Sequence, residues 1–155
     1  MTILGAPVGT ASFVRTGGQK IMQKIESNLS RLKEFNYLHQ RAKLATFCVN
    51  TQPTYFMGIL EADSFRDSLV AFDESVDHFW ADLLQFPDDF QRTNRVMYKS
   101  ALQQHRLGIR DGGSGCYRNE PLLSVAQYST FSVTLKWCAQ HPVTFTWLPV
   151  SIEEI

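Results

Sequence analysis

The sequence has no net charge, no long hydrophobic run and few cysteines, and each shortage excludes a class of protein. Its 155 residues balance 15 Lys and Arg against 15 Asp and Glu, which argues against a uniformly basic nucleic-acid-binding protein. No apolar run approaches the roughly 20 residues of a membrane span, and no secretory signal is visible. Cys48, Cys116 and Cys138 are odd in number and widely scattered. We therefore expect small, buried, reduced thiols in an intracellular protein and no disulfide framework.

Two glycine-bearing stretches lack the residues that a nucleotide site needs. LGAPVG occupies residues 4–9 and RDGGSG occupies residues 110–115. Neither is followed by the lysine and hydroxyl residue of a P-loop, and neither has the GxGxxG spacing of a dinucleotide fingerprint. We interpret both as turns that connect elements of structure.

Catalytic and metal-binding patterns are also missing. The four histidines are far apart, there is no CxxC and no GxSxG, and a zinc site or an activated nucleophile is not indicated. Glu74 and His78 share a helix face, which favours a surface ion pair. Asp73 and Asp77 also share a face, and on this acidic helix we expect them to be solvated. The sequence predicts no metal, no cofactor and no active site.

Charge is segregated along the chain even though the total is zero. Residues 1–50 carry seven basic and two acidic side chains, a surplus of +5, and residues 91–118 carry six and one, again +5. Residues 51–90 carry one and nine, a deficit of −8, and residues 119–155 carry one and three, or −2. Such segregation predicts one basic face and one acidic face.

Hydrophobic periodicity predicts an all-α fold, a bundle of about five helices with short extended segments at the termini. We expect residues 1–142 to form one helical domain and residues 143–155 to form a tail with β-like alternation. The predicted helices cover residues 18–35, 38–49, 64–86, 89–104 and 121–141.

Several details accompany this assignment. Residues 1–14 are expected to be extended, Pro53 to end the second helix, and Asp63 or Ser64 to cap the third. Residues 54–60 fit a strand, a loop or a helix. In the fourth helix, which Asp88 or Asp89 caps, one side is expected to pack inward through Phe90, Met97 and Ala101. The last helix is apolar almost all round and is predicted to be central.

Basic side chains recur at helical spacing and are the candidate phosphate contacts. Lys20, Lys24 and Arg31 project within about 40° of one another at about 100° per residue, beside the apolar face of the first helix. A second stripe, which Arg106 and Arg110 would extend, contains Arg92, Arg95 and Lys99. The alternative is that these are only the solvated faces of amphipathic helices.

The order of several short motifs resembles a known family. LGAPVG, then LHQRAKLATFCVNTQPTYFMGIL at residues 38–60, AFDESV at 71–76 and LGIRDGGSG at 107–115 precede a helix containing LLSVAQYSTF. This order is similar to the region after the catalytic palm in reverse transcriptases of non-LTR retrotransposons, and it covers residues 3–137. The family usually has proline where Gly108 stands and leucine where Ser114 stands, and often a basic residue near Gly58.

The resemblance implies a thumb-like helical segment in which the two glycine motifs are hinges to neighbouring segments. The family's metal-binding aspartates lie upstream of LGAPVG and do not occur in this sequence. Because a polymerase clamps two metals with such carboxylates, we expect this chain not to polymerise DNA by itself.

Three functions remain open. The first is a non-catalytic module that binds RNA or an RNA–DNA duplex through its basic helix faces. The second is a domesticated accessory subunit that docks to a larger protein assembly through the acidic helix 64–86 and the tail 143–155, where Phe145, Trp147 and Leu148 are apolar. The third is a new enzymatic activity around the glycine loop. Its candidate residues are His105, Arg106, Arg110 and Asp111.

Overall fold

The N-terminus forms a two-stranded hairpin that rests on the first helix. The computed structural model describes residues 1–3, 5–87 and 89–140. Strands β1 (Thr2–Ile3) and β2 (Ala6–Pro7) pair antiparallel. Gly5 lies in the turn with a φ of +83°, a conformation that glycine adopts without strain. The predicted N-terminal extended segment is therefore confirmed, although it is shorter than 14 residues.

Helix α1 (Ala11–Arg31) begins seven residues before the predicted start at Gly18. The glycine pair in its second turn is a packing feature. A Cβ at Gly17 would lie 2.6 Å from the Pro7 Cβ, and one at Gly18 would lie 3.2 Å from Phe65 Cδ2. The absent side chains let the hairpin and a later helix approach the α1 backbone closely.

The all-α fold is confirmed, with more helices than predicted. Residues 54–60 contribute to a short helix of their own, and Pro53, expected to end the second helix, lies in the first turn of the third, where its missing N–H costs nothing. The further helices are α2 (Leu38–Leu44, continued by a π-helical turn Ala45–Val49), α3 (Gln52–Met57), α4 (Ala62–Leu83), α5 (Phe90–Thr93), α6 (Arg95–His105) and α7 (Leu123–Gln140).

Helix α4 is the centre of the fold and packs along α1. It starts at Ala62 after Glu61, and the predicted side-chain caps are wrong: neither Asp63 nor Ser64 caps it, and Ser64 Oγ instead donates to Glu61 Oε2 at 2.8 Å. The core side chains from these two helices are Met22, Ile25, Leu29, Phe65, Leu69, Phe72, Val76, Phe79, Trp80 and Leu83.

The predicted fourth helix is interrupted at Asn94, whose φ of −128° and ψ of 49° are not helical. The regular helical register therefore does not continue from α5 into α6. Met97 is exposed, while Tyr98 and Leu102 on α6 are buried, so the predicted inward side was wrong for Met97. No side-chain cap from Asp89 is present, and Asp88 lies outside the described residues.

Helix α7 lies at the edge of the bundle, contrary to the predicted central position. Its first turns contact α3 and α4, and Gln127 Nε2 donates to the Leu60 carbonyl at 2.7 Å. Within the described residues of α7 only Leu123 is buried, and Tyr128 and Phe131 are 75% and 53% exposed. The predicted end at Pro142 and the tail 143–155 fall outside the described part of the chain.

Candidate functional site

A buried carboxylate on α4, that of Asp73, holds the start of the segment that leads into α7. It accepts the backbone N–H of Asn119 on both oxygens, at 2.9 and 3.0 Å, and that of Glu120 at 3.0 Å. The side-chain amide of Asn119 donates through Nδ2 to Asn50 Oδ1 at 3.1 Å. The backbone N–H groups of Asn119 and Glu120 lie at the start of a short 3₁₀ turn, Glu120–Leu122, that leads into α7, and N–H groups at a helix start lack intrahelical acceptors. Asp73 therefore acts as a cap supplied by a different helix.

Asp77, one turn further along α4, is a hub for three cationic or polar side chains. Arg106 Nη2 donates to its Oδ1, Arg118 Nη2 donates to its Oδ2 at 3.1 Å, and His105 Nε2 lies 3.4 Å from Oδ1. Burial raises the pKa of Asp77, but the His105 hydrogen bond and the arginine charges outweigh it and hold the pKa below its usual 3.8. The carboxylate is thus charged and ties α4 to α6 and to the segment before α7.

Both aspartates were expected to be solvated, and that expectation was wrong. Asp73 is 3% exposed and the Asp77 side chain 14%. The two carboxylates face inward because side chains and backbone from α6 and from the segment before α7 cover this side of α4. Glu74 and His78, on the outer side, are exposed and form no ion pair with each other among the described residues.

Charges that are segregated in the sequence pair with each other in space. Acidic side chains of α4 meet basic ones from both flanking segments, so the prediction of separate acidic and basic faces holds only in part. The pairs that join α4 to those segments are Arg15–Asp67, Lys33–Asp82, Arg41–Asp82, Arg106–Asp77 and Arg118–Asp77. In the described part of the chain, the acidic residues of α4 that have no ion pair are Asp63, Asp73 and Glu74.

The three predicted contacts on α1 form an exposed basic stripe. Lys20, Lys24 and Arg31 are exposed, and no described acidic side chain pairs with them. At about 100° per residue they project roughly opposite Met22 and Ile25, which are buried. From the sequence, this stripe was expected beside the apolar face of the helix. It lies instead on the outer face of the bundle.

The second predicted stripe is divided. Asn94 separates Arg92 on α5 from Arg95 and Lys99 on α6, and all three basic side chains are exposed. Arg110 is exposed in the glycine loop.

Arg106 departs from the expected surface path, because its side chain is 14% exposed and bound to Asp77. The sequence reasoning missed Arg118, which reaches the same carboxylate. Only the fold brings Arg118 there, since it lies 41 residues from Asp77.

The glycine loop closes the C-terminal end of α6. The N–H groups of Ser114 and Gly115 donate to the carbonyls of His105 and Leu107, each at 2.9 Å, and that of Gly113 donates to Gly108 at 3.1 Å. Because these N–H groups are engaged with carbonyls, the loop is not arranged as a phosphate cradle. The interpretation of this stretch as a connecting turn is confirmed.

Of the four residues considered for a new enzymatic activity, His105 and Arg106 meet at Asp77, and neither Arg110 nor Asp111 bonds to that group among the described residues. A cleft of about 480 Å³ beside the loop is lined by Trp80, Gln104 and His105 among others, but not by Arg106, Arg110 or Asp111. His105 stacks on Trp80 with ring centroids 4.9 Å apart. Among the residues that the structure describes, no three His, Cys, Asp or Glu side chains are grouped as metal ligands.

The three thiols differ in environment. Cys116 is fully buried, and burial raises its pKa to about 11, so this thiol stays protonated and unreactive at neutral pH. Cys138 is partly buried, whereas Cys48 is exposed, contrary to the expectation that all three are buried. None forms a disulfide within the described residues.

Comparisons with protein-family models, curated proteins and solved structures gave no match. In the stretch of chain that the structure covers, no helix combines the length and apolar character that crossing a bilayer requires.

Proposed function

We propose that this chain is a nucleic-acid-binding helical module of the thumb-like kind, and that it holds RNA or an RNA–DNA duplex without carrying a catalytic step of its own. The motif order that resembles non-LTR reverse transcriptases supports the type of partner. The outer face of α1 supports the mode of contact.

The observation that carries the proposal is the difference between paired and unpaired cations. Lys33, just after the end of α1, is paired with α4. Lys20, Lys24 and Arg31 are exposed along one line of the outer face and have no acidic partner among the described residues. At 1.5 Å per residue, the line extends about 16 Å. A row of unpaired cations of this length suits successive phosphates of one strand.

A titration by fluorescence anisotropy tests the proposal. The triple variant Lys20→Gln, Lys24→Gln, Arg31→Gln removes the stripe without touching the core. We expect it to bind a labelled RNA–DNA duplex about tenfold or more weakly at ~50 mM salt. We also expect the slope of log K against log[salt] to become shallower by about 2 to 3, since each phosphate contact contributes about 0.9.

A second triple variant with the same loss of charge serves as the control. Arg15→Gln, Lys43→Gln, Lys136→Gln removes one cation that is paired with Asp67 and two that have no acidic partner among the described residues, all at exposed positions away from the stripe, and it should bind nearly as the wild type does. Equal losses of duplex affinity in both variants would show that binding depends on net charge and not on the position of the stripe. Absence of wild-type binding at ~50 mM salt would contradict the proposal, as would unchanged binding by the stripe variant.

A second candidate function, an accessory subunit of a larger assembly, is favoured by the surface of α7. Half of the acidic side chains of α4, the docking helix proposed from sequence, pair within the chain. The large apolar side chains of α7 that are exposed include Val125, Tyr128, Phe131 and Val133. Tyr128 and Phe131 are three residues apart and are therefore neighbours on the helix surface, and adjacent exposed apolar side chains are typical of a protein interface.

This alternative predicts a different result from a different variant. Tyr128→Gln, Phe131→Gln should unfold at the wild-type temperature, because both side chains are exposed, yet the variant should no longer co-purify with its native assembly. The matched exchange Thr134→Gln, an exposed polar position on the same helix, should leave co-purification intact. If the apolar variant still co-purifies, docking does not use α7.

A further inference from the structure

Asp77 and three basic side chains line one cleft. Arg106 and Arg118 bind different oxygens of the Asp77 carboxylate. Lys99, two helical turns before Arg106 on α6, lines the same cleft, which has a volume of about 370 Å³ and includes Gln103 on its wall. These side chains come together only in the folded chain, because α4, α6 and the segment before α7 each contribute to the cleft.

The cleft has an excess of positive charge. Lys99, Arg106 and Arg118 contribute three charges and Asp77 removes one, which leaves a formal charge of +2 on the lining residues. Asp73, one turn earlier on α4, does not line the cleft and accepts the backbone N–H groups of Asn119 and Glu120. Among the described residues, no second acidic side chain lines the cleft to neutralise this excess.

The basic side chains also keep donors for a ligand. Lys99 is exposed, and the Arg118 side chain is 54% exposed while its guanidinium is oriented by Asp77. Arg106 Nη1 is buried and has no hydrogen-bond partner among the described residues. Arginine guanidinium groups present forked donors that match the oxygens of a phosphate.

We propose that this cleft binds a phosphomonoester, and that the ligand in the cell is a terminal phosphate of a nucleic-acid strand. A phosphomonoester carries a charge of about −1.5 to −2 at pH 7, which matches the cleft, whereas a phosphodiester or a carboxylate carries one. The choice of nucleic acid as the source of the phosphate rests on the proposed function. The affinity of the cleft for a phosphomonoester is argued from the cleft alone.

The experiment compares duplexes that differ only in their ends. Labelled RNA–DNA duplexes with a 5′-phosphate, a 3′-phosphate or hydroxyl ends are titrated by fluorescence anisotropy. We expect one terminal phosphate to raise wild-type affinity about tenfold, the effect of roughly one charge-assisted hydrogen bond. The variant Lys99→Gln, Arg118→Gln should lose this difference, and Lys43→Gln, Lys136→Gln should keep it.

A second arm separates this proposal from the proposed function. Inorganic phosphate is compared with chloride at equal ionic strength, and the unfolding temperature is measured. Phosphate should raise the unfolding temperature of the wild type and of the Lys43→Gln, Lys136→Gln variant more than that of the cleft variant, because its exclusion from protein surfaces stabilises all three proteins and only an intact cleft adds binding. This result without any duplex binding supports the cleft and contradicts the nucleic-acid source. Equal affinity for all duplex ends, together with equal stabilisation of the wild type and the cleft variant by phosphate, overturns the cleft itself.

Discussion

Replacing Asp73 by alanine is expected to lower the free energy of unfolding by about 3 to 5 kcal/mol. The carboxylate is buried and accepts backbone N–H groups of both Asn119 and Glu120. Alanine leaves the buried Asn119 N–H and the partly buried Glu120 N–H without an acceptor, and each unsatisfied buried donor costs about 1 to 3 kcal/mol. Urea unfolding followed by circular dichroism measures the change.

Two further variants define what the carboxylate does. Asp73→Asn keeps the shape but puts an NH₂ group against an N–H donor, because both oxygens of Asp73 act as acceptors. We expect an intermediate loss. Glu74→Ala, an exposed neighbour on the same helix, should change stability by less than about 0.5 kcal/mol. A loss below about 1 kcal/mol for Asp73→Ala would mean that α7 is held by its other contacts, which include the Gln127–Leu60 hydrogen bond and the Arg66–Glu120 ion pair, and not by this cap.

The burial of Asp73 could be predicted from the sequence in part. On a helical wheel at about 100° per residue, Asp73 lies about 20° beyond Trp80, at the edge of the apolar arc of α4. An acidic residue at the edge of such an arc is a candidate for a buried acceptor that needs donors. The donors could not be predicted, because Asn119 is 46 residues away and reaches Asp73 only when the chain folds back.

Local patterns predicted the long helices well and their surroundings poorly. The predicted helix 64–86 corresponds to α4, because its apolar spacing is regular and Pro87 follows it. The position of α7 was wrong for a physical reason. An apolar helix must be covered by something, but its sequence does not say whether the cover belongs to the same chain, and the described residues leave Tyr128 and Phe131 exposed.

The charge pattern shows the same limitation. A long run of one sign is solvated only if no run of the opposite sign folds against it, and here basic segments lie on both sides of the acidic one in sequence. Asp77 and Asp82 accordingly find partners from the flanking segments. The surface available to a ligand is defined by the basic residues that have no ion pair within the described part of the chain, and not by the net charge of each sequence segment.

Replacing Gly113 by alanine is expected to lower the free energy of unfolding by about 3 kcal/mol. A Cβ at this position would overlap the carbonyl group of Leu107 and lie 2.7 Å from the carbonyl oxygen of Gln104. Both obstacles are backbone atoms at the end of α6, so no side-chain rotation relieves the overlap. The loop must move away, which breaks the hydrogen bonds that Ser114 and Gly115 donate to the end of α6 and the residues just after it.

Gly108→Ala is the matched control in the same loop. Gly108 has a φ of −58°, and the nearest atom to a Cβ there is Asp111 Oδ2 at 3.2 Å, at the end of a flexible side chain. Its substitution should change stability by less than about 1 kcal/mol. Hydrogen exchange should show faster opening of the last turn of α6 in Gly113→Ala only. Equal stabilities of the two variants would mean that the loop backbone does not pack closely against the end of α6. The conclusion that the glycine motif caps this end of the helix would then be wrong.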